Sequence, residues 1–312
     1  MKTGFPERLK SLEAAREPFR QALHEALGAG DDSDLLIYTP ADEGALSSTP
    51  AGVLAITSRG WLWIEETASG GTAKTEVDFA HTVWVELTGI LLYGSLNIAY
   101  AEGTALLHCN IVFSTTRIEY YSEAAERIVR GTRGLSGDTG RHTRNNAPGI
   151  EKLSFKFRSA LYDLTPPGEP VQALLNWPMV TGPAGFWSKC ELANAGFMVL
   201  TEHTLLVVRE ELSKGHFWLK KNPHYGKITA FVPLQRLCGY TLRDAGNPSL
   251  IRISLHLADG AVEDELDQSL PTSLEADAQV FLEKLTNVVQ AAGARPWTMA
   301  DRRVSLETGA EV

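Results

Sequence analysis

Residues 51–66 read AGVLAITSRGWLWIEE, and residues 195–210 read AGFMVLTEHTLLVVRE. The stretches lie 144 positions apart and share five identities, among them Gly52 with Gly196 and Thr57 with Thr201. Each holds two runs rich in β-branched or aromatic residues around a turn-like centre, Ser58-Arg59-Gly60 in one and Glu202-His203-Thr204 in the other, which predicts a β-hairpin in both. By strand alternation Trp61 and Trp63 share one face of the first hairpin while Leu62 and Ile64 share the other. Both faces are apolar, so the sheet is expected to be covered on both sides.

Upstream, residues 19–40 lie on residues 157–178 at an offset of 138, with seven identities in 22 positions, including Phe19 with Phe157, Arg20 with Arg158, Leu36 with Leu174 and Pro40 with Pro178. Downstream, HTVWVELTGI (81–90) lies on ITAFVPLQRL (228–237) at an offset of 147. Three blocks in one order, separated by small insertions, predict a duplication of a whole domain, since the period is far too long for a solenoid repeat.

Both copies share a coarse grammar. A helix comes first, carried in copy one by Leu9, Leu12, Phe19, Leu23 and Leu27, with Pro18 placed to open a second segment and Gly28 to end it. In copy two Leu153, Phe157, Leu161 and Leu164 have helical spacing, and Phe155 is a misfit that leaves a strand possible there. A short strand follows, LLIYT or ALLNW, closed by Pro40 or Pro178. After the hairpin come the runs TVWVEL, GILLYG, SLNIAY and ALLHCNIVF in copy one, and ITAFVPL, LCGYTL and SLIRISLHLA in copy two. Each copy ends in a helix. In copy two Thr272 to Glu275 reads as a capping box, Leu274, Ala278, Phe281, Leu282, Leu285, Val288 and Val289 form one stripe, and Gly293 stops it. In copy one Ile118, Tyr121, Ala125, Ile128 and Val129 do the same before Gly131.

About seven strands followed by one amphipathic helix, together with the G-x-L-A-x-T-x-R-x-x-L-x hairpin and the L-L-Y-G-S-L-N-I strand pair, resembles the bacterial pleckstrin-homology-like (PH-like) domains. The resemblance covers residues 33–130 and 171–292. It implies an α+β fold of two bent, seven-stranded antiparallel barrels, each preceded by a helix and plugged by its C-terminal helix. The resulting division is an N-terminal helical segment (1–32), a PH-like domain (33–131), a linker with a connecting helix (132–170), a second PH-like domain (171–293) and a tail (294–312). The family implies a binding scaffold rather than an enzyme, with ring-forming or pairing modules among its bacterial members, so a homo-oligomer is possible. Lipid-binding members carry Lys and Arg in the loop after the first strand. Here that loop is ADEGALSSTP (41–50) in copy one and holds only Lys189 in copy two, which argues against phosphoinositide recognition.

The 312 residues are enough for two cores without disulfides or metals. A net charge of −9 argues against general affinity for nucleic acid or anionic membrane, so an anion site must be a local patch. No apolar run follows the charged start MKTGFPERLK, which reads as no secretory signal. Three scattered cysteines, Cys109, Cys190 and Cys238, fit a reducing cytoplasm. The uncharged run LTGILLYGSLNIAYA (87–101) is too short for a bilayer span and is expected to be buried strands.

No nucleotide-binding, zinc-protease or serine-hydrolase motif is present, and His216 with His224, eight apart, fits no usual metal spacing. No cofactor or metal is expected. Asp138-Thr139-Gly140 matches the tripeptide of aspartic proteases, but copy two lacks the second carboxylate, and the surrounding residues 131–149, with Arg133, Arg141 and Arg144, read as a solvated connector. VEDELD (262–267) reads as a solvated loop.

The sharpest asymmetry lies between Leu212 and Arg243, which hold six cations (Lys214, Lys220, Lys221, Lys227, Arg236, Arg243) and no acid. The core of this segment, KGHFWLKKNPHYGK, interleaves them with Phe217, Trp218 and Tyr225, a mixture that holds anions by charge while rings stack. The matching loop ETASGGTAKTEVDFA of copy one lacks it. The expected partner-binding residues are therefore Lys214, His216, Trp218, Lys220, Lys221, His224, Tyr225 and Lys227, for a protein or another anionic ligand. A hydrolase with a cleft between the domains and a peripheral membrane binder are the alternatives.

Overall fold

The computed structural model describes residues 4–28, 33–43, 48–135, 149–165, 169–183, 189–211 and 226–291. The first half contains β1 (Glu7–Leu9), α1 (Phe19–Leu27), β2 (Leu35–Thr39), β3 (Asp42–Glu43), β4 (Ser48–Thr49), β5 (Gly52–Ile56), β6 (Gly60–Glu66), β7 (Thr72–Asp78), β8 (Thr82–Ile90), β9 (Tyr93–Glu102), β10 (Ala105–Ser114) and α2 (Ile118–Gly131). The second contains α3 (Phe155–Leu164), β11 (Ala173–Trp177), β12 (Val180–Pro183), β13 (Lys189–Ala193), β14 (Gly196–Leu200), β15 (Thr204–Glu210), β16 (Lys227–Pro233), β17 (Leu237–Asp244), β18 (Leu250–Asp259), β19 (Val262–Pro271) and α4 (Glu275–Ala291). The fold is α+β with antiparallel pairings. No helix among the described residues is long and apolar enough to cross a membrane.

From α1 and α3 onward the two halves use the same elements in the same order, and their registers coincide. Gly52 faces Glu65 as Gly196 faces Arg209, Gly60 faces Asp78 as Thr204 faces Pro233, and Ala105 faces Glu102 as Val262 faces Asp259. A register shift between Thr82 and Trp84 recurs between Leu237 and Gly239. Equivalent turns are closed by equivalent hydrogen bonds: Thr57 N to Gly60 O at 2.9 Å and Thr201 N to Thr204 O at 3.0 Å. Because a slip of one residue would turn every side chain to the other face, such agreement requires matched inward and outward patterns along every strand.

The sheets are open. One runs β1-β2-β5-β6-β7, and another β17-β18-β19. A seven-stranded sheet runs β10-β9-β8-β16-β15-β14-β11 and so joins the halves, because β8 pairs with β16 from Lys227↔Gly89 to Phe231↔Val85. The expected bent, seven-stranded barrels are therefore corrected: among the described residues no sheet closes on itself. The physical reason lies at the corners. Short 3-10 turns at Phe79–His81 and Leu234–Arg236 redirect the chain between β7 and β8 and between β16 and β17, so neither corner continues the ladder. The free edge of β16 is then taken by β8.

Both faces of the opening hairpin are buried, as its alternation demands. Trp61 and Trp63 join Leu35, Ile37, Leu54, Phe113, Tyr121 and Ile128 in one core, while Leu62 and Ile64 join Leu36, Val53 and Ala55 beneath Phe19, Leu23 and Leu27 of α1. In the second half Phe197, Val199, Leu206 and Val208 lie with Phe157 and Leu161 of α3 in the first core, and the opposite face packs under α4. Each such large side chain contributes about 1.5–3 kcal/mol by leaving water.

Several expectations are corrected. Leu9 lies in β1, paired with Leu36, and Leu12 in a single 3-10 turn, so helix begins only after Pro18; Gly28, at φ 68°, ends it as expected. Phe155 opens α3 and is 88% exposed. TAKTEVD is strand β7 rather than loop, VEDELD lies in strand β19, and GILLYG is the tip of the β8–β9 hairpin rather than a strand of its own. The third repeat block was misaligned: ITAFVPL is β16, the counterpart of β7, and β8 corresponds to β17 at an offset of 155. The two strands equated there are instead hydrogen-bonded neighbours. The Thr272 hydroxyl does not cap α4; it donates to the Pro248 carbonyl at 3.0 Å. Gly293 and the Asp138-Thr139-Gly140 tripeptide lie outside the described residues.

Candidate interaction surface

Of the expected partner-binding residues, Lys214, His216, Trp218, Lys220, Lys221, His224 and Tyr225 lie outside the described residues. Lys227 is described, and it opens β16 opposite Gly89. Burial lowers its ammonium pKa; Asp163 pulls the other way, and Lys156 adds to the lowering. Lys156 also anchors the segment's root, since its Nζ donates to Glu210 Oε1 at 3.0 Å and to the Gly226 carbonyl at 3.1 Å.

The other two described cations are engaged. Arg236 donates from Nε to the Thr82 carbonyl at 2.9 Å, from NH1 to Asp259 at 2.6 Å and from NH2 to the Ala80 carbonyl, so it clamps the second half onto the first. Arg243 reaches Glu265 and the Ser254 hydroxyl, both at 3.4 Å. Neither belongs to a free basic patch.

What the sequence did not reveal is the neighbour of that root. The β8–β9 turn consists of Leu91 and Leu92, because Ile90 pairs with Tyr93. Leu91, Leu92 and Tyr93 are 68%, 74% and 49% exposed. The buried-strand expectation for this run therefore fails at its centre, since a two-residue turn has no strand to cover it. Two-residue hairpins need a positive φ, which glycine or asparagine supplies without steric cost. Here Leu91 supplies it, at φ 53°. The turn is held from behind by the Thr115 hydroxyl donating to the Leu91 carbonyl and by Thr115 N donating to Leu92 O at 3.2 Å. Ile90 lies so near Gly226 that a Cβ at that glycine would stand 2.8 Å from Ile90 Cγ1. An exposed apolar tip thus adjoins the root of the basic-aromatic segment. The equivalent turn of the second half reads Ala-Gly-Asn-Pro-Ser, polar and with Gly246 at φ 75°.

Two further polar clusters lie at junctions. A small recess with room for little more than a water molecule is lined by Glu86, Arg209, Met198, Leu255, Leu266, Asp267 and Gln268. Within it Arg209 donates to Glu86 at 3.1 Å, tying β15 to β8, while burial raises the Glu86 carboxyl against the pull of Arg209. Along α2, Arg127 pairs with Glu123 at 2.8 Å and Arg130 with Glu126 at 3.9 Å, and just beyond its end Arg133 pairs with Glu169. The buried Cys109 thiol is pushed up to about 12 by its apolar surroundings, which makes it an unreactive packing group. No group of three or more His, Cys, Asp or Glu among the described residues is placed to hold a metal ion. No protein-family model matches the chain, and no curated protein matches it.

Proposed function

We propose that the chain is a non-enzymatic scaffold of two PH-like folds, residues 33–131 and 171–293, that holds an acidic protein partner with apolar side chains. Its contact surface is the Leu91-Leu92-Tyr93 tip together with the basic-aromatic segment that returns at Lys227. The fold reading is supported by the shared element order and register of the two halves, each with six strands of which the second and third form a short separate pair, then three strands, then a helix. The observation that carries the binding reading is the strained, exposed Leu91. A leucine held at positive φ in water costs backbone strain and hydration at once, and residues kept in such conformations cluster at binding sites. By its composition the segment that ends at Gly226 brings lysines, which attract acid, and aromatic rings, which supply contact area.

The test is a pull-down from lysate of the source cells with the full chain, using Leu91→Ser/Leu92→Ser and Lys220→Glu/Lys221→Glu variants whose melting temperatures match the parent. Both variants lose one acidic partner by about tenfold or more, the effect of removing binding hot spots. Unchanged capture by both removes this surface from consideration. Flotation with phosphatidylserine vesicles that depends on the same residues would assign the surface to membrane instead.

A further inference from the structure

The union of the halves leaves its own counterpart unmade. Strand β8, first of the three-stranded unit in the first half, pairs with β16, last of the four-stranded unit in the second. The equivalent of β8 is β17 and the equivalent of β16 is β7. These two are terminal strands of their own sheets and do not pair with each other; among the described residues neither has a strand on its outer side. The geometry points to head-to-tail self-association, in which β17 of one copy adds to β7 of the next in the register that β8 already uses with β16.

Transferring that register residue by residue sets Thr72 opposite Asp244, Ala73 opposite Arg243, Lys74 opposite Leu242 and Thr75 opposite Thr241. No like charges meet, which an adventitious register would not ensure. The Thr241 hydroxyl is enclosed within its own chain and has no hydrogen-bond partner among the described residues; Thr75 is placed across from it and meets it once the Thr241 side chain rotates toward the edge. Cross-strand threonine pairs satisfy one another in this way. Edge strands are commonly protected by lysine, and β7 carries Lys74, but its charge is matched by Glu76 at 2.8 Å. The corners that free β16 for β8 are the same 3-10 turns that free β7 and β17, so the approach is the one the chain already accommodates.

The intermolecular joint is weaker than the internal one. Trp84, which reaches across to Asp264 at 2.5 Å, is replaced at the equivalent position by Gly239, and Glu86, partner of Arg209, by Thr241. What remains is chiefly the backbone ladder, so association is reversible and rises with concentration. Because the contact is heterologous, it builds chains or rings rather than a closed symmetric pair.

This inference does not depend on the Leu91 surface, and its test leaves that surface intact. Sedimentation velocity of the full chain over a concentration series is compared with Lys74→Pro, which blocks β7, and Leu242→Pro, which blocks β17; at both positions the backbone N–H points away from the strand's own partner. The parent forms oligomers, each variant alone is monomeric, and an equimolar mixture stops at a heterodimer, since one good edge remains on each. If a proline variant loses its cooperative melting transition, a charge pair replaces it: Thr75→Glu/Thr241→Glu in one chain stays monomeric, and Thr75→Glu/Thr241→Lys associates again. A parent that is monomeric throughout, or oligomers that survive either block, overturns the proposal.

Discussion

The two halves use one backbone plan and fill it differently. Gly52 and Gly196 are equivalent, and each lies under a tryptophan so closely that a Cβ would stand 2.3 Å and 2.5 Å from the ring. In the first half the ring is Trp63 of β6; in the second it is Trp177 of β11. The exchange propagates. Tyr121 of α2, whose hydroxyl shares a 2.6 Å hydrogen bond with Thr39, corresponds to Ala278 of α4, while Thr39 corresponds to Trp177. Bulk has moved from helix to strand, and both versions are buried. Strand register is therefore the shared quantity, and core volume is met by different residues in each half, as volume-conserving repacking allows.

The larger contrast lies at the edges, and it offers ways to break the comparison. Trp84 crosses from β8 into the core of the second half, buried, with its indole N–H on Asp264; Gly239 stands in its place on β17. Trp84→Ala should cost about 3–5 kcal/mol in urea denaturation, the usual loss for a buried tryptophan. A cost under about 1 kcal/mol would mean that the halves do not share that core. Proline separates the two equivalent strands next. Thr229→Pro in β16, buried between β15 and β8, should cost about 3 kcal/mol or more, while Lys74→Pro at the equivalent place on the β7 edge should cost less than half as much. Equal costs would place β7 inside a sheet.

The smallest effect depends on pH. Burial pushes the Glu126 carboxyl up to about 7, opposed first by Arg130 and reinforced by Glu123. A raised folded value means that folding favours the protonated acid, so its contribution is complete below about pH 4.5 and is lost as pH rises through about 7. Glu126→Gln should then be nearly neutral at about pH 4 and stabilising by about 1–3 kcal/mol at about pH 8. The equivalent helix position in the second half is Glu283, which is exposed. An effect of Glu126→Gln that is the same at both pH values would remove the assigned cause.

The β-hairpins, α2 and α4 were legible in the sequence because both faces or one stripe of each are apolar, as at Trp61 to Ile64 and Phe281 to Leu285. β7 was not, because TAKTEVD is an edge strand with one buried residue, Val77, and an edge that meets water has no apolar period to read. β19 was hidden likewise by the acids on its outer face. Barrel closure was misjudged because strand order across a corner depends on contacts between distant segments, which no local pattern encodes. The lysine-rich segment stood out by composition, but Leu91 did not: an exposed leucine pair inside an apolar run looks like core until the turn is located.

Amide hydrogen exchange at low protein concentration addresses the joined sheet directly. The account predicts that amides of Val85–Gly89 and Lys227–Phe231 that face each other exchange only by global unfolding, as slowly as those of β14 and β15, while outward amides of β7 and β17 exchange quickly. Fast exchange along both β8 and β16, with slow exchange inside each half, would show two separate bodies and contradict it.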